Sequence, residues 1–255
     1  MTRSEIVLHQ FPFSHYNEKA RWALDWKGIN HERVDYLPGP HAPQMQRLSG
    51  QLQVPVLQIG ARTIAGSAAI IDALEARKPE PALYPADPAL RARALDLQRH
   101  FDDEVGPRVR RALFSVLLRE PAYTCQIFAG RRSAPVRAAY RALFPLTKQI
   151  MGRSMSVFDA RAVEEAFAAT HEALELVART VGPSGQLVGD SFSVADLTAA
   201  ANLALLVRVD HPDMARPEPV PASVQAFMSR FATHPATRWA LEQYRRYRPA
   251  RAKSG

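Results

Sequence analysis

Apolar and polar positions change rhythm near residue 80. Before it, short apolar runs alternate with amphipathic stretches: Ile6 to His9 reads as a strand, about Ser14 to Lys27 as a helix closed by Gly28, and His31 to Tyr36 as a second strand. Val54 to Ile59 and Ala61 to Ala65 read as two further strands, and Ser67 to Arg77 as a helix ended by Lys78 and Pro79. The order is βαβ followed by ββα. The proline-rich stretch KPEPALYPADP then predicts a linker laid over the surface. From Ala89 onward nearly everything has helical spacing, with interruptions predicted at Pro107, Pro121, Pro135, Pro145 and the GPSGQ loop. The pattern therefore predicts an α/β domain over residues 1–80, a linker over 81–88, an all-helical domain over 89–248 and a basic tail over 249–255. The end, RPARAKSG, is expected to fray.

With 255 residues, 47% of them hydrophobic and 23% charged, the chain is able to bury a sizeable core, which excludes a disordered or fibrous protein. No run approaches the roughly 18 consecutive apolar residues of a membrane span. The N-terminal MTRSEIVLHQF lacks the apolar core of a signal peptide, so a cytoplasmic location is expected. Cys125 is the only cysteine, which rules out an intrachain disulfide and a cysteine-based metal cluster; it reads as a small buried hydrophobe. No metal is expected. The balance of 33 basic against 25 acidic residues gives +8, mostly from arginine. Those arginines are scattered singly or in pairs, with no zinc-finger spacing or RNA-binding aromatic motif, so nucleic acid is not the expected partner. A positive field of this kind steers small anions.

Three segments carry candidate chemistry. Phe11, Pro12 and Phe13 form an apolar turn, and Ser14 then stands as the N-cap of a helix whose free N–H groups and positive dipole end favour an anion. The plain alternative is that Ser14 only caps. In Gln53-Val54-Pro55-Val56-Leu57, a proline inside a strand-like run belongs at an edge or at the first residue of the strand, in cis if the turn is tight. Val54 beside it keeps a backbone free to pair with a peptide-like ligand. In Gly66-Ser67-Ala68-Ala69-Ile70, Ser67 reads as the cap of a second helix and a second anion site. Two helix N-termini and a free strand backbone suit a small peptide that carries a carboxylate and a thiolate-like centre.

These residues resemble the cytosolic glutathione transferase family, bacterial type, with serine at the catalytic position. SHYNEKARWAL is similar to the family's first helix start, QVPVL to its cis-proline segment, GSAAIIDALE to its Glu/Gln-Ser-x-x-Ile segment, and LVGDSFSVADLTAAANL to its late buried helix. In the last of these, Ser193 and Asp196 have capping-box spacing and Phe192 and Leu197 that of a hydrophobic staple, so Asp196 reads as structural. The resemblance implies a thioredoxin-like N-terminal domain, an all-helical C-terminal domain, a homodimer, and glutathione as co-substrate. It implies that Ser14, with Asn17 as the alternative, donates to the glutathione sulfur. Val54 would pair with the cysteinyl unit, Pro55 would be the cis-proline, Ser67 would receive the γ-glutamyl carboxylate, and Gln53 would meet the glycyl end. Tyr16 is a further nearby donor and His15 a conceivable base. The electrophile pocket would be lined by Phe11, Phe13 and a helix bearing Arg110, Phe114 and Leu117. Ser14 and Asn17 occupy the places of a thioredoxin-type Cys-x-x-Cys, so thiol–disulfide exchange through that motif is excluded.

The implied activity is conjugation of the glutathione thiolate to an electrophilic small molecule. Dehalogenation, peroxide reduction, ether cleavage and isomerisation would use the same activated thiol. Two positions depart from the family: Gly66 stands where Glu or Gln is common, and the usual Asn-Pro-x-Gly turn is absent around Ser49-Gly50-Gln51-Leu52. Gly66 keeps a different class of function open, a transferase-like module that binds partners and catalyses nothing.

Overall fold

The computed structural model describes residues 5–249. Strands β1 (Ile6–Gln10), β2 (Glu32–Asp35), β3 (Val56–Ile59) and β4 (Arg62–Ala65) form one mixed sheet in the order β2-β1-β3-β4. β1 runs parallel to β2 and antiparallel to β3, with Leu8 set between Arg33 and Leu57; β3 and β4 form an antiparallel pair. β1 is buried at all of its positions, as a central strand covered on both faces must be. Helices α1 (His15–Trp26), α2 (Ala42–Ser49) and α3 (Ser67–Arg77) complete a thioredoxin-like unit. The strand–helix pattern read from the sequence does not predict α2, whose eight residues carry only Met45 and Leu48 as large apolar positions. Ser67 is the first residue of α3 and not its cap: Gly66 is the N-cap. Pro55 precedes β3, so the proline stands ahead of a central strand and not on an edge strand.

The rest is helical: α4 (Pro88–His100), α5 (Gly106–Leu117), α6 (Pro121–Ala129), α7 (Ala134–Ser154), α8 (Ala160–Thr180), α9 (Val194–Leu203), α10 (Ala222–Ser229) and α11 (Pro235–Tyr247). A π-helical turn, Phe101–Val105, joins α4 to α5 without a break. Pro107, Pro121 and Pro135 sit in first turns, where the missing N–H costs nothing. Pro145 does not interrupt the chain as predicted. It lies inside α7, held on either side by the buried Tyr140, Phe144 and Thr147. No helix among the described residues is long and apolar enough to cross a membrane.

Helix α9 is buried at all ten positions and forms the axis of the helical part. Its start is fixed by Asp196, which accepts from the Ser193 N–H at 2.9 Å, the Ser193 hydroxyl at 2.9 Å and the Leu187 N–H at 2.7 Å. Burial nevertheless pushes that carboxyl up to about 6, so three donors only partly offset the loss of water. Trp22 of α1 stacks on Phe192 and leans on Tyr244 of α11, and its indole N–H donates to the Tyr247 carbonyl. The sheet side and the helical side therefore share one core. Residues 78–82 run exposed over the surface, pinned by Lys27, whose ammonium donates to the carbonyls of Lys78, Pro79 and Pro81 and pairs with Glu75 at 2.6 Å. Cys125 is buried, and desolvation raises its thiol.

The end of the described chain differs from expectation. Arg248, the first residue of RPARAKSG, is buried against Glu18, Asp25 and Asp213. Residues 250–255 of the expected tail lie outside the described residues.

Candidate functional site

The first turn of α1 is built by Ser14, which is extended at φ −166° and ψ 132°. Its Oγ accepts from the Asn17 N–H at 3.5 Å, the long limit of a hydrogen bond, and donates to no group among the described residues, so the hydroxyl proton is uncommitted. The neighbouring side chains are engaged differently. Tyr16 donates its hydroxyl to the Asp102 carbonyl in the π-helical turn at 2.6 Å, and burial raises the phenol to about 12. Lys19 pairs with the Asp102 carboxylate at 2.6 Å. One turn of π-helix thus clamps the polar side of α1 from below Ser14. His15 is buried, and desolvation followed by the charges of Arg110 and Lys19 holds it well below the usual imidazole range. It is neutral at pH 7 and a poor proton acceptor.

Gly106, at the junction of the π-turn and α5, makes this clamp possible. A Cβ there would stand 2.7 Å from Asn202 Oδ1, 2.9 Å from His15 Nε2 and 2.9 Å from the Tyr16 hydroxyl. Gly106→Ala is expected to cost about 1–3 kcal/mol through overpacking, measured by urea denaturation. A variant as stable as the wild type would show that α5 shifts freely.

Between α1 and the helical part lies a cleft of about 400 Å³. Phe11, Phe13 and Ser14 reach it from the β1–α1 turn, Gln53 and Val54 from the segment before β3, and Arg110 and Phe114 from α5. His15 and Tyr16 line it from the first turn of α1, so nine of the residues singled out in the sequence meet in one place. Pro55, Gly66, Ser67, Asn17 and Leu117 do not line the cleft. Asn17 is fully buried, with neither side-chain atom hydrogen-bonded, and Leu117 belongs to the core. The Val54–Pro55 bond is cis, and the Gly66 N–H donates to the Pro55 carbonyl at 3.0 Å, which ties the start of α3 to this segment. Gly66 has φ 91° and ψ 141°, and a Cβ added there would meet nothing within 4 Å, so backbone conformation and not crowding selects glycine.

The pattern of the sequence does not point to the remaining walls. Gly39, His41 and Ala42 contribute from the start of α2, and Thr147, Ile150, Met151 and Ser154 from α7. Ile150 stands more than half exposed on a long helix, an apolar residue facing outward that a helical period alone does not distinguish from scattered surface apolars.

Residues 8–82 match the family described as glutathione S-transferase, N-terminal domain. A glutathione S-transferase of Pseudomonas putida is 33% identical over 97 residues, 38% of this chain and 44% of that protein. Maleylacetoacetate isomerase of Rattus norvegicus is 35% identical over 97 residues, 36% of this chain and 45% of that protein. The matched segments thus span less than half the length of these curated relatives. Among solved structures, the β-etherase LigF of Sphingobium sp. strain SYK-6 superposes with a TM-score of 0.63 at 22% identity, over 94% of this chain and 100% of that one. The theta class glutathione S-transferase of Xanthomonas axonopodis pv. citri, solved with glutathione bound, gives 0.58 at 20% identity over 93% and 97%. Residues 8–82 are therefore similar in sequence to the glutathione S-transferase N-terminal domain, and over most of its length the chain shares the fold of these solved structures.

Proposed function

We propose that this protein is a glutathione transferase, acting as a homodimer in the cytoplasm, that adds the glutathione thiolate to an electrophilic small molecule. The observation that carries the reading is the placement of Ser14: an N-cap hydroxyl with its proton uncommitted, at the positive end of α1, on the wall of a largely apolar cleft. In this reading glutathione lies along the segment before β3. Its cysteinyl unit pairs with the Val54 backbone, its glycyl end approaches Gln53, and its γ-glutamyl carboxylate meets the first turn of α3 at Ser67. Ser14 donates to the sulfur, and the apolar cleft beyond holds the electrophile. Solved relatives of the same fold with glutathione bound support the tripeptide as the ligand. Most of the rate in such a site comes from holding the electrophile beside the sulfur, since thiol ionisation has a bounded effect.

Calorimetric titration with glutathione tests this. Binding in the millimolar range or tighter, with turnover of a chloronitroarene, is the expected result; no heat and no thermal shift would instead identify a binding module without catalysis. That rival is favoured by Gly66, which presents no side chain to the γ-glutamyl end. Ser67→Ala is expected to weaken glutathione binding about tenfold, the low end for a hydrogen bond to a charged group, because the α3 N–H groups remain. Unchanged affinity in this variant would move the carboxylate elsewhere.

A further inference from the structure

Arg110 is, among the described residues, the one formally charged side chain on the cleft wall. Among the described residues it makes no ion pair, and its Nε is buried without a hydrogen-bond partner. Its guanidinium carbon lies over the Tyr16 ring, 6.0 Å from the ring centre. Of the acidic residues in the turn before α5, Asp102 is held by Lys19 at 2.6 Å and Glu104 pairs with Arg108. The other groups close by are no help: His15 is neutral and Arg111 is itself a cation, donating to the Met155 carbonyl at 2.6 Å. A guanidinium partly withdrawn from water without an anion is costly. Arg21, Arg33 and Arg248 near α1 each face a carboxylate, and the buried Arg216, which lies over the Phe13 ring and donates to the Leu205 carbonyl, pairs with none among the described residues but does not line the cleft. What Arg110 does face is cleft, with Phe114 one turn on and Phe128 beside it.

We propose that the second substrate is an apolar electrophile carrying a carboxylate, and that Arg110 binds that carboxylate on the helical wall of the cleft. This rests on the glutathione reading of the site. The guanidinium is planar and suits a two-point contact with a carboxylate. Phe11, Phe114 and Phe128 take the apolar body. The carboxylates of glutathione itself are met on the sheet side, at Gln53 and Ser67, and Ser67 does not line the cleft at all. The charge on the helical wall is therefore left for the other substrate. A net positive chain would steer the same anion toward the cleft.

The test compares an acid with its amide. Calorimetry with phenylpropionate and phenylpropionamide, in the absence of glutathione, reads the pocket directly. A chloronitroarene bearing a propionate chain, set against the same arene bearing the propionamide, reads turnover with the reacting carbon unchanged. The wild type is expected to prefer the acid by roughly 10-fold in both measurements. Arg110→Gln is expected to bring the ratio close to one, Arg110→Lys to retain part of it, and Arg108→Gln, an exposed arginine paired with Glu104, to retain all of it. No preference in the wild type, or a preference that survives in Arg110→Gln, overturns the proposal. Loss of glutathione affinity in Arg110→Gln together with no acid preference in the wild type overturns it and assigns Arg110 to the tripeptide. An Arg110-dependent preference for phenylpropionate in a protein that neither binds nor converts glutathione would uphold the carboxylate site and remove the transferase reading.

Discussion

Arg248→Ala is expected to destabilise the protein by about 3–5 kcal/mol, the cost of leaving three largely buried carboxylates to share two arginines. The side chain reaches Glu18 at 2.8 Å, Asp25 at 2.9 Å and Asp213 at 2.7 Å, and it is fully buried. Arg21 supports Glu18 at 2.7 Å, and Arg33 bridges Asp25 at 2.7 Å and Asp213 at 2.8 Å. Three arginines and three carboxylates thus form a neutral cluster that joins α1, β2, the segment before α10 and the chain end. Burial alone would raise Asp213, but Arg21, Arg33 and Arg248 overcome it and hold the carboxyl at about 2. A folded value below the unfolded one gives stability that is present above about pH 4 and is lost as the pH falls toward about 2. Urea denaturation between about pH 2 and pH 7 should show that loss in the wild type. In Arg248→Ala the curve should start lower and fall less steeply, because Asp213 has one cation fewer. A cost under about 1 kcal/mol would mean that the chain end is not part of the fold's stability.

Much of this fold was legible because its elements announce themselves locally. The strand–helix alternation through Arg77 places four strands and two of the three helices within a few residues, and the Ser193–Asp196 spacing marks the start of α9. What escaped was whatever is decided at a distance. α2 buries only Met45, so it carries too little apolar pattern to be read as a helix. Pro145 looked like a stop because a proline removes an interior hydrogen bond, yet tertiary packing of its neighbours overrides that cost. Arg248 looked like part of a solvated tail because nothing in RPARAKSG tells that three carboxylates, one of them 230 positions earlier, converge on it. The cleft divides in the same way. Ser14 and Val54 follow from helix capping and a free strand backbone, whereas Phe11, Phe13, Gln53, Arg110 and Phe114 follow from the family resemblance. The α7 wall does not, since only the packing of α7 against the rest turns an ordinary helix face into a lining.

Ser14→Ala is expected to lower turnover by up to about 30-fold at pH 7 while changing glutathione affinity much less. A thiol with an unperturbed value near 8.5 is only about 3% ionised at pH 7, so full ionisation gains roughly 30-fold and no more. A hydroxyl donating to the sulfur favours the thiolate, and its removal should return the bound thiol toward 8.5. The sign gives a second readout. Because the free thiol ionises by itself at high pH, the defect should shrink as the assay moves from about pH 7 to about pH 9. A defect caused by lost packing would not. The capping role of Ser14 adds little, for its contact to the Asn17 N–H is 3.5 Å long, and the expected stability loss is about 0.5 kcal/mol, the weak end for an N-cap. Asn17 supplies the control: fully buried and off the cleft wall, it should leave the thiolate titration where it is when changed to alanine. Thiolate absorbance against pH, measured on the glutathione complexes of both variants, decides between them. A titration that moves in Asn17→Ala and stays fixed in Ser14→Ala would transfer the sulfur contact to Asn17 and reduce Ser14 to a cap.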